Sequence, residues 1–179
     1  MDAELFEHYV QRGAEPWNVS VDAAWLDYEL RAWTAPRLPA QRPLAACNIG
    51  IGVGLWDDWL GHELGEGAQL TSVDRDPTIC RVFGRRQVRE RHPFPSQVVC
   101  GDILDGVLPR ATFDVITVVG STIDSNEPGA FEEAARAALA PGGVLLMARV
   151  GTGSPPITGE LRQRGELWIA VRALAAPGA

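Results

Sequence analysis

The sequence predicts an α/β fold, a three-layer sandwich with helices on both sides of a mostly parallel sheet. Three observations carry that expectation. Residues 44–64 read as strand, glycine turn and helix: the apolar run Leu44-Ala-Ala-Cys-Asn-Ile49 meets glycines at 50, 52 and 54, and an amphipathic segment follows. Further short apolar runs at 69–73, 97–101, 113–119 and 144–149 are separated, apart from the third pair, by stretches of helical character, as in parallel strands joined by crossovers. Acids, Asp74 and Asp102, directly follow two of these runs, where open parallel sheets place their ligands.

Composition bounds the rest. A chain of 179 residues is the size of one domain, and 46% hydrophobic residues can build a substantial core. No apolar run approaches the ~20 residues of a membrane span, and the acidic start Met1-Asp-Ala-Glu-Leu-Phe-Glu lacks the basic and apolar regions of a secretion signal. Cys47, Cys80 and Cys100 have no metal-ligand spacing and are expected as buried free thiols, which fits a reducing cytoplasm. A net charge of −7 argues against a nucleic-acid partner, whose affinity comes largely from cations on phosphates. All sixteen cationic residues are arginine, so lysine chemistry is excluded.

Before the first strand, Asp2 to Arg12 reads as a helix with Leu5, Phe6, Tyr9 and Val10 on one face. A break at 13–19 carries Pro16 and Trp17. Ser20 is a plausible N-cap for a second helix with Val21, Trp25 and Trp33 at helical spacing, which Pro36, Pro39 and Pro43 end. Trp25 and Trp33 are read as packing on the sheet, whereas Tyr9 and Trp17 flank the break. After the glycine turn come a helix at 55–64, a strand at 69–73, and a helix at 78–91. The arginine cluster at 81, 85, 86, 89 and 91 reads as a solvated face. The next strand is 97–101. The strand at 113–119, almost continuously apolar, is expected to be buried on both faces. An Ala-rich helix at 128–139, a tight turn at Ala140-Pro-Gly-Gly143 and a strand at 144–149 complete the unit.

The glycines do not match the Gly-x-Gly-x-x-Gly of hydride cofactors, because the sixth position is Leu55 counted from Gly50 and Asp57 counted from Gly52. What stands is Gly50-x-Gly52-x-Gly54. Together with Val73-Asp74-Arg-Asp-Pro77, Cys100-Gly-Asp102 and Leu139-Ala-Pro-Gly-Gly143, it resembles the class I S-adenosylmethionine-dependent methyltransferases over roughly residues 44–150. The resemblance implies a Rossmann-like, mostly parallel seven-stranded sheet closed by an antiparallel C-terminal hairpin, with S-adenosylmethionine as cofactor. One domain then divides into an N-terminal helical lid (1–43), the cofactor-binding core (44–150) and the hairpin (151–179). Only about thirty residues follow Arg149, so the crossover helix after the fifth strand is expected to be reduced or missing. The hairpin is expected at 157–162 and 167–174. Such a compact protein would complete its pocket as a homodimer.

Carried onto this sequence, the resemblance places the cofactor against Asn48, Gly50, Ile51, Gly52, Gly54, Asp74, Arg75, Gly101, Asp102, Ile103, Val119 and Gly120. Asp74 suits the ribose hydroxyls and Asp102 the adenine amino group, while Asp76 before Pro77 is left as a helix cap. The lid segment is similar to the Asp-Pro-Trp and Trp-Tyr-Glu region of nodulation-type N-methyltransferases, which implies a small-molecule acceptor against Tyr9, Trp17 and Ser121. His8 and Asp124 are the candidate bases; a surface histidine and a helix cap are their bland alternatives. His62 is expected on the outer side of its helix and His92 in the arginine-rich loop. The sequence departs from the family at Asn48, where an acid usually faces the cationic methionyl end of the cofactor, so a charge-assisted contact is lost. Methyl transfer to N or O of a small molecule in secondary metabolism is the leading expectation. Aminocarboxypropyl transfer or cyclisation on the same fold, and a non-catalytic partner subunit, are the alternatives.

Overall fold

The computed structural model describes residues 21–41, 43–120, 128–154 and 159–176. Helix α1 (Val21–Thr34) leads through a short 3-10 turn at Ala35–Arg37 to strand β1 (Ala45–Ile49). Then come α2 (Leu55–Leu64), β2 (Gln69–Asp74), α3 (Pro77–Glu90), β3 (Gln97–Cys100) and β4 (Phe113–Val119). The chain continues through α4 (Pro128–Ala138), β5 (Leu139–Thr152), β6 (Glu160–Arg164) and β7 (Leu167–Ala175). The seven strands form one sheet in the order β3-β2-β1-β4-β5-β7-β6. Its first five strands pair in parallel, and β7 runs antiparallel to both β5 and β6.

Alternation along the strands builds the two cores. Ala46, Val115, Leu146, Ala148, Ile169 and Val171 point to one face, which α1 covers with Leu26, Leu30 and Trp33 and α2 with Leu60 and Leu64. Cys47, Ile49, Ile116, Val118, Leu145 and Met147 point to the other, covered by Phe131, Ala135 and Ala138 of α4. Central strands buried on both faces are why the sequence there is apolar without a period. Each fully buried aliphatic side chain contributes about 1.5–3 kcal/mol relative to exposure. A smaller cluster joins Ile79, Cys80 and Phe83 of α3 to Ile51 in the glycine turn.

Several boundaries differ from the sequence expectation. β5 starts at Leu139 rather than 144, because Phe113 already pairs with Leu139; the Pro-Gly-Gly segment falls in a register shift before Val115 pairs with Val144. The hairpin pairs 160–164 with 167–171 and turns at Gly165-Glu166, so its first strand ends at 164 and not at the expected 162. Among the described residues no helix lies between β5 and β6. Cys47 and Cys80 are buried free thiols as expected, but Cys100 is exposed, since β3 is the edge strand of the sheet. Among the described residues no helix is long and apolar enough to cross a membrane.

Candidate active site

Strands β3, β2, β1 and β4 end side by side, with Asp74 in register with Cys100, Ile49 with Val73, and Ile49 with Val118. The order reverses between β1 and β4, so their carboxyl edge is the switch point at which such sheets bind ligands. Onto this edge project the glycine turn after β1, Asp74 at the end of β2, Gly101 and Asp102 after β3, and Gly120 after β4.

The turn is built on left-handed backbone. Gly50, Gly52 and Gly54 have φ of 93°, 55° and 80°, a region that costs an L side chain about 1–2 kcal/mol. The Gly50 N–H donates to Val73 O at 2.8 Å and Gly54 N–H to Ile51 O at 2.8 Å, which curls the chain into α2. A Cβ on Gly54 would lie 2.5 Å from the Phe83 ring, so glycine is required there by space as well as by conformation. Ile51 is buried against Ile79 and Phe83, leaving its backbone toward Asp74.

Asp74 ties the turn to β2. Its Oδ2 accepts from the Ile51 N–H at 2.9 Å, with Gly52 N at 3.5 Å, and its Oδ1 accepts from the Asp76 N–H at 2.9 Å. Each carboxylate oxygen has two lone pairs, so Oδ1, with one donor, keeps acceptor capacity. Asp76 caps α3 by accepting from the Thr78 N–H at 2.8 Å. Gly101 donates its N–H to Asp74 O at 2.9 Å, and a Cβ there would meet Val107 at 2.7 Å. Asp102 Oδ1 accepts from the Leu104 N–H at 3.0 Å, Ile103 is buried, and Arg75 is exposed. Val119 ends β4, and Gly120, at φ 95°, donates to Ala148 O at 3.0 Å. His8, Tyr9, Trp17, Ser121 and Asp124 lie outside the described residues.

Directly beneath the turn lies a row of polar side chains in the middle of the sheet. Ser72, Asn48 and Thr117 stand in register on β2, β1 and β4, each 0% exposed. A directional chain of hydrogen bonds crosses them. The Trp56 indole N–H donates to Thr117 Oγ1 at 3.1 Å, and the Thr117 hydroxyl donates to Asn48 Oδ1 at 2.9 Å. Asn48 Nδ2 then donates twice, to Gly50 O at 3.2 Å and to Asp57 Oδ1 at 3.0 Å. Ser72 Oγ donates to the same Asp57 oxygen at 2.5 Å. Asp57 Oδ2 is buried and has no hydrogen-bond partner among the described residues. Burial therefore pushes the Asp57 carboxyl up to about 7, with the Ser72 and Asn48 hydrogen bonds pulling the other way and the Asp58 charge adding a smaller upward push. Burial likewise drives the Cys47 thiol far up, reinforced by Asp57.

Arg86 holds the turn from behind. Its guanidinium donates to Val53 O at 3.0 Å and Gly54 O at 3.3 Å, and its Nη2 lies 2.7 and 2.6 Å from the two Asp58 oxygens. His92 Nε2 is 3.5 Å from Asp58 Oδ1, so this histidine sits over α2 and not over the carboxyl edge. His62 is on the exposed side of α2, as its position in the sequence predicted. The sequence reading missed Asp57 and Arg86. Asp57 stood beside Asp58 as one of two acids in a helix first turn, and Arg86 was one of five arginines on a helix expected to be solvated.

With this geometry in place, the comparisons with known proteins fall into line. The methyltransferase domain model matches residues 47–147, more than half of the chain. The chain therefore belongs to the methyltransferase-domain family, in the class that takes S-adenosylmethionine as its cofactor. A ribosomal protein L11 methyltransferase from Pelotomaculum thermopropionicum is 37% identical over 99 residues, 55% of this chain. The chain spans only 30% of that relative's length. A SAM-dependent methyltransferase from Aquifex aeolicus shares the fold with a TM-score of 0.64 at 14% identity, over 79% of this chain and 87% of its own. A Haemonchus contortus phosphoethanolamine N-methyltransferase 2, solved in complex with S-adenosyl-L-methionine, superposes with a TM-score of 0.61 at 19% identity, over 73% of this chain and 30% of its own.

The residues at the carboxyl edge fit this cofactor on their own chemistry. The left-handed glycines leave no Cβ over the turn, and Asp74 and Asp102 keep acceptor capacity for hydroxyl and amino donors.

Proposed function

We propose that this chain transfers the methyl group of S-adenosylmethionine to N or O of a small molecule. The observation that carries the reading is the join between the three left-handed glycines and Asp74. The strand-two acid reaches across to the Ile51 N–H and fixes turn and acid at one place on the switch point. Bound there, the cofactor supplies a methyl on a sulfonium, whose neutral thioether needs no acid to leave. The protein's part is to hold donor and acceptor in line, a proximity effect of up to roughly 7–11 kcal/mol. Asp74 is assigned to the ribose hydroxyls, Asp102 and the Ile103 backbone to the adenine edge, and the turn of Gly50, Gly52 and Gly54 to the amino-acid end. Gly101, Arg75, Val119 and Gly120 complete the contact.

The acceptor side is assigned to Tyr9, Trp17 and Ser121, with His8 and Asp124 as bases where the nucleophile arrives protonated. A net charge of −7 and the small-molecule N-methyltransferase among the similar folds support a small acceptor. The 37% identity to a ribosomal protein methyltransferase favours a second reading, a protein acceptor. Calorimetric titration with S-adenosylmethionine and S-adenosylhomocysteine tests the cofactor assignment, and binding of neither refutes it. Methyl transfer from labelled cofactor to a panel of small amines and phenols, run beside purified ribosomal protein L11, decides between the acceptors.

A further inference from the structure

Position 48 holds an amide at the heart of the polar row, and a carboxylate nine residues later joins that row. Asn48 spends its two donor hydrogens on Gly50 O in the turn and on Asp57 Oδ1, so one amide links the turn to a buried acid. Asp57 is 2% exposed, and its Oδ2 is buried with no hydrogen-bond partner among the described residues. A core that needed only packing at residue 57 would take an apolar side chain, since an isolated buried acid is costly. We propose that Asp57 is a positioning residue for the cofactor: acting through Asn48 and the Gly50 carbonyl, it supplies the negative charge that favours the cofactor's α-ammonium end. This inference rests on the cofactor assignment above.

The surroundings of Asp57 are neutral on β1 and β2 and charged on α2. From β1 it faces Asn48 and the Cys47 thiol, which burial keeps neutral. From β2 it faces Ser72, whose hydroxyl lies 2.8 Å from that of Ser96, and Ser96 in turn bonds Gln87 of α3. Thr117 of β4 reaches it only through Asn48. On α2 itself Asp58 adds a negative charge, already paired with Arg86 of α3 and flanked by His92. Asp74 at the end of β2 is turned to Ile51 and Asp76. Because Asp57 carries its charge only above about pH 7, cofactor affinity acquires a pH dependence. If only the ionised form binds the ammonium end, affinity rises up to about tenfold from pH 6 to pH 8.

The experiment is calorimetry on the whole chain with two ligands at pH 6 and pH 8. S-adenosylhomocysteine carries the ammonium, and 5′-methylthioadenosine shares its adenosine and thioether but lacks the amino acid. In the wild type, affinity for the first should rise severalfold, up to about tenfold, while the second stays constant. Asp57→Asn should bind S-adenosylhomocysteine more weakly at pH 8 and with no pH response. The exchanged pair Asn48→Asp/Asp57→Asn should regain affinity over Asp57→Asn, since the charge is back beside the turn. Equal pH responses for the two ligands, or an Asp57→Asn variant with wild-type affinity and slope, would overturn the proposal. Should Asp57→Asn fail to fold by circular dichroism, the two-ligand comparison in the wild type decides alone. Binding of neither ligand would overturn the cofactor assignment and this inference with it, whereas binding of both without a difference overturns this inference only.

Discussion

Replacing Asp57 by asparagine exchanges a carboxylate held wholly inside the protein for an amide of nearly the same shape, and the consequence for stability follows from its titration. Folding raises this carboxyl from 3.8 to about 7, chiefly through burial. A shift of about three units corresponds to on the order of 4 kcal/mol between the two protonation states. The sign is fixed by which state holds the proton. Between those two values the folded protein keeps it and the unfolded chain does not, so this contribution to stability is full below pH 3.8 and is lost as pH rises through about 7. In the middle of the window the loss runs at about 1.4 kcal/mol per pH unit, and from pH 5 to pH 8 it sums to about 3 kcal/mol. The asparagine variant has no such slope. It carries a constant cost instead, about 1–3 kcal/mol, because its NH2 group takes the position of Oδ2, which has no partner among the described residues. Urea unfolding of both proteins at each pH isolates the effect, since titrating groups not coupled to Asp57 cancel in the difference. Wild type minus variant should fall by about 3 kcal/mol between pH 5 and pH 8. A difference that stays level within about 0.5 kcal/mol would mean that Asp57 titrates as an ordinary carboxylate and is not desolvated.

Three further outcomes test the turn itself. Gly54→Ala places a Cβ 2.5 Å from the Phe83 ring at a φ of 80°, so thermal melting should show a loss of about 2–5 kcal/mol; a loss under about 0.5 would contradict the close approach of α3. Asp74→Ala should weaken S-adenosylhomocysteine binding by roughly 1.5–3 kcal/mol in calorimetry, and unchanged affinity would move the ribose contact elsewhere. Arg86→Met should cost about 2 kcal/mol, discounted from a fully buried pair because Asp58 is a quarter exposed. Asp58→Asn added to that variant should then cost little more, and full additivity would show that the two do not act as a pair.

Much of this site was legible because its markers obey local rules. Three glycines at alternate positions state a left-handed turn, Asp76 before Pro77 states a cap, and residues 55–64 form the expected helix to the residue. What escaped depends on neighbours distant in sequence. Asp57 and Asp58 look alike as acids in a first helical turn, a place that favours negative charge whichever way the side chain points. Only the rotation of α2 sends Asp57 under the turn, to meet Ser72 fifteen residues on, and leaves Asp58 to Arg86. Arg86 has the sequence surroundings of Arg85, and a hundred-degree turn of the helix separates a clamp on two loop carbonyls from an exposed side chain. At β5 the Pro-Gly-Gly signal reads as a break, yet pairing with β4 carries the strand through it at a register shift. Cys100 looks like core by composition and is exposed because strand order, not sequence, decides which strand is the edge.

The polar row also bears on why the turn has one shape. Three strands meet at the switch point, and apolar packing alone specifies a volume without fixing the direction of a single carbonyl. Asn48 fixes one: its Nδ2 holds Gly50 O down toward the core, and Thr117, with Trp56 behind it, holds the amide in the orientation that makes this donation available. Arg86 fixes two more carbonyls of the turn from the other side, those of Val53 and Gly54. With the carbonyls drawn toward protein donors, and with Ile51 N–H taken by Asp74, the groups of the turn left to meet a ligand are set before the ligand arrives. Such preorganisation lowers the ordering cost of binding. A buried network is worth having only when its members are satisfied, and in the polar row Asp57 Oδ2, without a partner among the described residues, is an exception. That exception stands two hydrogen bonds from the Gly50 carbonyl, close enough for its charge to be felt at the turn and deep enough to be little screened by solvent.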